Sequence, residues 1–162
     1  MTFRIAFVCS GNICRSPTAE AVLRHLAAER GLSDALTIDS YGTGPWHVGQ
    51  PIDPRALQAL RGRGYELDHT ARMIDADDIA EHDLVVAIDR GHEADLQHLA
   101  HTVEEAAKVR LLRSYDPAVG PDPDIPDPYY GGAGGFDRVL DLIEAGCRGL
   151  LDEVAPRLRP RR

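Results

Sequence analysis

Phe3-Arg4-Ile5-Ala6-Phe7-Val8-Cys9-Ser10-Gly11-Asn12-Ile13-Cys14-Arg15-Ser16-Pro17 decides how this chain folds. Phe3 to Val8 is a short, mostly apolar run and reads as a buried strand. A polar turn containing Gly11 follows. Pro17 then opens a run with helical spacing, Ala19, Val22, Leu23, Leu26 and Ala27, with Gly31 as its stop.

Further along the chain, Leu36 to Tyr41 reads as a second strand, broken by Gly42-Thr43-Gly44-Pro45. Asp53 caps a helix with Pro54 at its first position and Ala56, Leu57 and Leu60 on one face. Asp75 to Glu81 is a short helix, Leu84 to Ile88 the central strand, His92 to Ala100 a helix and Val109 to Leu112 a fourth strand. Residues 114–135, rich in Pro, Gly and Asp, form a long loop, and Phe136 to Val154 closes the chain as an amphipathic helix. This alternation predicts an α/β, three-layer, flavodoxin-like fold: a four-stranded parallel sheet flanked by helices. Residues 1–155 read as a single domain and residues 156–162 as a basic flexible tail. Such sheets bind ligands beyond the carboxyl ends of their strands, where the strand order switches.

Composition narrows the chemistry. A chain of 162 residues, 43% hydrophobic and 27% charged, is long enough for one sizeable core. Its formal net charge of −8 argues against nucleic acid as a partner. Three cysteines, Cys9, Cys14 and Cys147, make no disulfide framework and no zinc-site spacing, so a reducing compartment is expected and no metal. No apolar stretch reaches the length of a membrane span, so no membrane is expected either. The N-terminus has no signal-peptide pattern. A cytoplasmic location follows as the expectation, with export lacking a signal peptide left open. Lys108 is the only lysine among 18 basic residues, a skew that points to a GC-rich genome.

The loop after the first strand carries the reactive groups. Cys9 stands at the strand end, and Arg15 follows after five intervening residues. The amides of Ser10, Gly11, Asn12, Ile13 and Cys14 form a nest for an anion, and the helix start adds its positive end. Arg15 offers a planar fork for two phosphate oxygens. The same field draws Cys9 toward its thiolate, a nucleophile aimed at phosphorus. Ser16 is placed to donate a hydrogen bond to that thiolate. Asn12 suits the tight part of the loop because it tolerates a left-handed backbone.

The loop Cys9 to Pro17 resembles that of the low-molecular-weight protein tyrosine phosphatases. Asp39-Ser40, Trp46-His47-Val48-Gly49, Asp53-Pro54-Arg55-Ala56, His69-Thr70-Ala71-Arg72 and Asp127-Pro128-Tyr129-Tyr130 look like landmarks of that family, in its order, over nearly the whole chain. The resemblance implies a bacterial, cysteine-dependent enzyme that hydrolyses protein phosphotyrosine through a phosphocysteine on Cys9. It implies no cofactor, a phosphotyrosine protein as substrate and a cognate tyrosine kinase as a possible counterpart. It further implies that Asn12, Ser16, Ser40 and His69 form a polar network holding the loop. A reversible disulfide between Cys9 and Cys14 is implied by the family's similar pair.

Expelling an alkoxide or phenolate needs a proton. Among Asp122, Asp124 and Asp127 the chemistry does not choose, whereas the resemblance assigns the general acid and base to Asp127. To act so, Asp127 must carry a proton when substrate arrives. Trp46, Tyr129 and Tyr130 lie in Gly/Pro-rich loops and are expected as pocket walls, with His47 at the rim. Ile13 leans the resemblance toward phosphotyrosine, because relatives acting on phosphoarginine tend to carry Thr there. Asp89, at the end of the central strand, is expected to support the loop or Arg15.

Two other readings are weaker. A thioredoxin-coupled arsenate reductase on the same fold would carry a further cysteine pair in mid-chain, and Val85 to Leu99 holds none. A non-catalytic phosphate-binding module would be expected to lose the nucleophile or the acid, yet Cys9, Arg15 and Asp127 are all present.

Overall fold

The structure, a computed structural model, describes residues 2–130 and 134–158, the side chain of Tyr130 excepted. Four strands, β1 (Phe3–Cys9), β2 (Leu36–Gly42), β3 (Leu84–Ala87) and β4 (Val109–Leu111), form one parallel sheet in the order β2-β1-β3-β4. The β1–β2 register runs from Phe3 against Leu36 to Cys9 against Gly42, and β1 meets β3 from Ile5 against Leu84 to Val8 against Ala87. The order reverses at β1, so the crevice beyond the carboxyl ends of β1 and β3 is the expected ligand site of such a sheet.

The side-chain period of two divides the strands between two cores. Ile5, Phe7 and Cys9 of β1, with Leu84 and Val86 of β3, face the helices α1 (Arg15–Glu29), α2 (Pro54–Gly62) and α6 (Gly135–Val154). Ala6, Val8, Val85 and Ala87 face the other way, onto Ile79 of α3 (Ala76–Glu81) and Leu96 of α4 (Arg90–Leu99). The central strands β1 and β3, covered on both faces, are mostly apolar, which is what made them legible, whereas the edge strands β2 and β4 carry Asp39 and Arg110. No helix among the described residues is long and apolar enough to cross a membrane.

Several boundaries differ from the sequence reading. Helix α1 starts at Arg15, so Pro17 lies inside its first turn rather than opening it. The first amides of a helix have no intrahelical acceptor, so a proline there loses no hydrogen bond. Helix α4 starts at Arg90 because Asp89 caps it, its carboxylate accepting from His92 N. The loop expected over 114–135 is partly built: 3₁₀ turns span Leu112–Tyr115 and Pro128–Tyr130, and residues 131–133 lie outside the described part. A short helix α5 (Val103–Ala106), capped by Thr102, was not expected. The chain end expected as a tail continues α6 through a 3₁₀ turn at Ala155–Arg157, and residues 159–162 lie outside the described part.

Candidate active site

Cys9 ends β1 and Arg15 begins α1, so the loop between them turns at the carboxyl end of the sheet. Its sharpest residue is Asn12, at φ 60, the one non-glycine with positive φ among the described residues. Its buried side chain is fully used. Nδ2 donates to Ser16 Oγ (2.8 Å) and Ser40 Oγ (3.0 Å), while Oδ1 accepts from Arg72 N (2.9 Å). The Asn12 carbonyl accepts from His69 Nε2 at 2.7 Å. Asn12, Ser16, Ser40 and His69 are thus brought together as the resemblance implied. The amides of residues 11–14 donate to no protein acceptor among the described residues, which leaves a row of donors along the loop.

Ser16 Oγ lies 2.9 Å from Cys9 Sγ and 3.2 Å from the Tyr41 carbonyl. The hydroxyl has one proton, so a thiolate at Cys9 would draw it from the carbonyl to sulfur. Arg15 is buried, and its Nη1 donates to Asp89 Oδ2 (3.0 Å) and to the Ile125 carbonyl (2.9 Å). These two bonds fix the plane of the guanidinium and leave Nη2 toward the cavity, 3.6 Å from Asp127 Oδ2. Asp89 therefore supports Arg15, as expected at the end of the central strand.

A cavity of about 480 Å³ opens over this floor, lined by the loop, Arg15, Trp46, His47, Asp127 and Tyr129. Asp127 is held by a short turn, its Oδ1 accepting from Tyr129 N at 2.9 Å. The rival carboxylates are engaged elsewhere. Asp124 pairs with Arg90 (3.1 Å), and Asp122 Oδ1 accepts from Asp124 N (3.0 Å). His47 lies over Gly11, where an added Cβ would come within 2.6 Å of the imidazole. The rings of His47 and Tyr129 are 5.8 Å apart. Arg55 stacks on Tyr129 at 5.3 Å and is tied by Asp53, whose backbone N donates to the Ile13 carbonyl. Ile13 and Cys14 also line the cavity. Tyr130, expected as a further wall, has a side chain outside the described residues.

Cys9, Cys14 and Cys147 are unbonded thiols. Burial pushes the Cys14 thiol well above its ordinary range, with the charge of Asp53 adding to the effect. Burial also opposes the charge on Asp53, but hydrogen bonds from Arg55 outweigh it and hold that carboxyl below its usual range.

Three further residues join the site that the sequence reading did not single out. Glu20 is buried and accepts from Ser40 Oγ at 2.7 Å, extending the loop network into α1. Its place one helical turn beyond Ser16 does not by itself separate it from a solvated carboxylate. Arg72, quoted only within its tetrapeptide, supplies the amide that holds Asn12. His92 is buried, with Nε2 2.8 Å from Ser10 Oγ, and Nδ1 is 3.2 Å from Asp89 Oδ1 at an angle that makes no hydrogen bond. Burial lowers its pKa, against the pull of Asp89. The described residues contain no group of three or more His, Cys, Asp or Glu side chains suited to a metal.

This arrangement matches known proteins over almost its full length. The family model described as low molecular weight phosphotyrosine protein phosphatase matches residues 4–159. A low molecular weight protein-tyrosine-phosphatase of Streptomyces coelicolor is 52% identical, over 99% of each chain. The crystal structure of a protein tyrosine phosphatase from Entamoeba histolytica superposes with a TM-score of 0.92 at 32% identity, covering 96% of this chain and 99% of that one. A structure described as a Drosophila arginine phosphatase superposes at 0.85 with 38% identity, covering 92% and 96%. With the loop, its arginine and its network in place over the whole length of that match, the chain belongs to the low molecular weight phosphotyrosine protein phosphatase family.

Proposed function

We propose that residues 1–155 act as one catalytic domain that hydrolyses phosphotyrosine in proteins, with Cys9 as nucleophile, Arg15 as phosphate clamp and Asp127 as acid and base. One observation carries the reading: Cys9, Arg15 and Asp127 line the same cavity, above a loop whose amides are unspent. The Cys9 thiolate attacks phosphorus, the bond to the tyrosine oxygen breaks, and that oxygen takes the proton of Asp127. Water then attacks the phosphocysteine and gives its proton to the Asp127 carboxylate. The thiolate leaves with the Ser16 hydroxyl turned toward it. Arg15 and the loop amides of Ser10 to Cys14 meet the charge on the equatorial oxygens throughout, so no metal or cofactor enters the scheme.

Trp46, Tyr129 and Ile13 give the cavity apolar walls, which suit a phenyl ring and leave the short stem of phosphoserine uncovered. The likeness to a structure described as an arginine phosphatase raises phosphoarginine as a second substrate. Ile13 argues against it, since an aliphatic side chain accepts none of the guanidinium N–H bonds that burial would strand. A tyrosine kinase acting on the same proteins, in the cytoplasm, is the counterpart this activity needs.

The test is release of phosphate from para-nitrophenyl phosphate and from matched phosphotyrosine, phosphoarginine and phosphoserine peptides. Cys9→Ser should abolish turnover, and Asp127→Ala should lower it by about 10²–10⁴-fold. A Cys9→Ser variant that keeps its rate, or a phosphoarginine peptide preferred to phosphotyrosine, would overturn the reading.

A further inference from the structure

A second cavity, of about 550 Å³, lies on the far side of Trp46 from the first, and that indole lines both. Its lining includes the apolar side chains of Trp46, Met73, Leu96 and Leu99, with Asp95, His98 and His101 among the polar ones. Trp46 is 66% exposed and Met73 48%, the two large apolar side chains that this groove leaves in solvent.

The walls of the groove are built into the fold. The indole lies directly on Gly44, where an added Cβ would fall 2.0 Å from Trp46 Cζ3. Gly44 N donates to the Ser10 carbonyl and Thr43 N to the Cys9 carbonyl, so Trp46 is registered to the phosphate loop itself. Met73 bridges Gly42 at the end of β2, and Leu96 and Leu99 stand on α4. The groove therefore borders the catalytic cavity across one shared aromatic ring, whose place is set by Gly44 and the phosphate loop.

We infer that this groove receives an apolar side chain flanking the phosphotyrosine of a protein substrate. The inference rests on the phosphotyrosine reading above. With the phosphate over Cys9 and the phenyl ring against one face of Trp46, the peptide backbone emerges at the indole rim. An extended chain advances about 3.3 Å per residue, so the side chain two or three positions along passes the indole and reaches Met73 and Leu99. The lining takes leucine, methionine or phenylalanine there. An acidic side chain would lose its hydration against that apolar lining and meet the Asp95 carboxylate on a protein of net charge −8, and His98 and His101 are its only cationic partners in the lining when they carry protons.

The experiment uses phosphotyrosine peptides that differ only in carrying Leu, Gly or Asp two and three residues from the phosphotyrosine, on either side. Para-nitrophenyl phosphate is measured alongside. On one side, Leu should exceed Gly by about tenfold in kcat/KM, with Asp lower still. Met73→Asp should remove the preference and leave para-nitrophenyl phosphate turnover unchanged. His98→Asp places a charge on the same groove from α4 and tests the point independently should Met73→Asp fail to fold. Equal rates for Leu and Gly peptides, or a preference that survives both substitutions, overturn the proposal. So does a concentration-dependent dimer dissolved by Met73→Asp without any peptide preference, which would give the face to a second copy of the chain. A wild-type protein inert toward para-nitrophenyl phosphate would instead sink the phosphatase reading beneath it.

Discussion

At the scale of single residues, Asn12 ties backbone shape to chemistry. It holds a left-handed conformation that costs most residues about 1–2 kcal/mol, and its amide reaches Ser16, Ser40 and the Arg72 backbone at once. The two contributions separate by substitution. Asn12→Ala loses the side-chain bonds and keeps a Cβ in the strained conformation, whereas Asn12→Gly loses the bonds alone. Both should slow phosphate release, and the glycine variant should be more stable by about 1 kcal/mol in urea unfolding. An alanine variant as stable as the glycine one would mean that the loop does not hold this backbone under strain. Asn12 was legible in the sequence because it stands between a strand end and a helix start, where few residue types serve. Glu20 and His92 were not. A buried carboxylate on a helix looks like a solvated one until its partner, here Ser40 from β2, is placed beside it. His92 reaches Ser10 only because β1 and β3 are neighbours, and strand order is not written in either strand.

At the scale of elements, the closest packing is between α6 and the 3₁₀ turn Leu112–Tyr115. A Cβ on Gly146 would lie 2.7 Å from Leu112 Cγ, and one on Gly149 only 1.9 Å from the Tyr115 carbonyl oxygen. Glycine in a helix interior normally costs about 1 kcal/mol relative to alanine. At Gly149 the sign should reverse. Gly149→Ala must push the helix off the turn and should destabilise by about 1–3 kcal/mol. The melting temperature then falls by about 3 °C per kcal/mol for a chain of this size. A variant that melts at or above the parent would show that the helix can shift without loss. This contact also explains where the sequence reading stopped. The central strands β1 and β3 announce themselves as mostly apolar runs, and α6 by its apolar stripe. The turn at Leu112–Tyr115 has no such period, being fixed by what packs on it, so Leu112 was expected to end the fourth strand and Ser114 and Tyr115 to open a loop. Helix α5 escaped for a different reason: its Val103 and two glutamates bury nothing, and a Thr102 cap alone defines it.

At the scale of the whole molecule, the charge of −8 sets a background against which single groups become visible. Acidification brings that charge toward zero and relieves self-repulsion, which by itself would stabilise the fold. A loss of stability on mild acidification must therefore come from particular side chains. His92 is the candidate, because burial at the head of α4, beside Asp89, Arg15, Asp95 and Asp127, keeps it neutral below its ordinary pKa of about 6.5. In the unfolded chain the imidazole takes its proton near that value, and in the folded chain only at lower pH. Between the two the unfolded state binds more protons, so stability is full above about pH 6.5 and falls as the pH drops. A second decline belongs below about pH 4. There Asp39, held down by its hydrogen bond with His82, and Asp124, held down by Arg90, are protonated more readily once unfolded. Asp78, pushed up by burial, works in the opposite sense and softens this second step. His92→Gln keeps a partner for Ser10 but removes the titration. Urea midpoints measured between about pH 8 and pH 5 should fall for the parent and stay level for His92→Gln, with the decline below about pH 4 common to both. An unchanged mild-acid slope in the variant would show that His92 is not the group that charges.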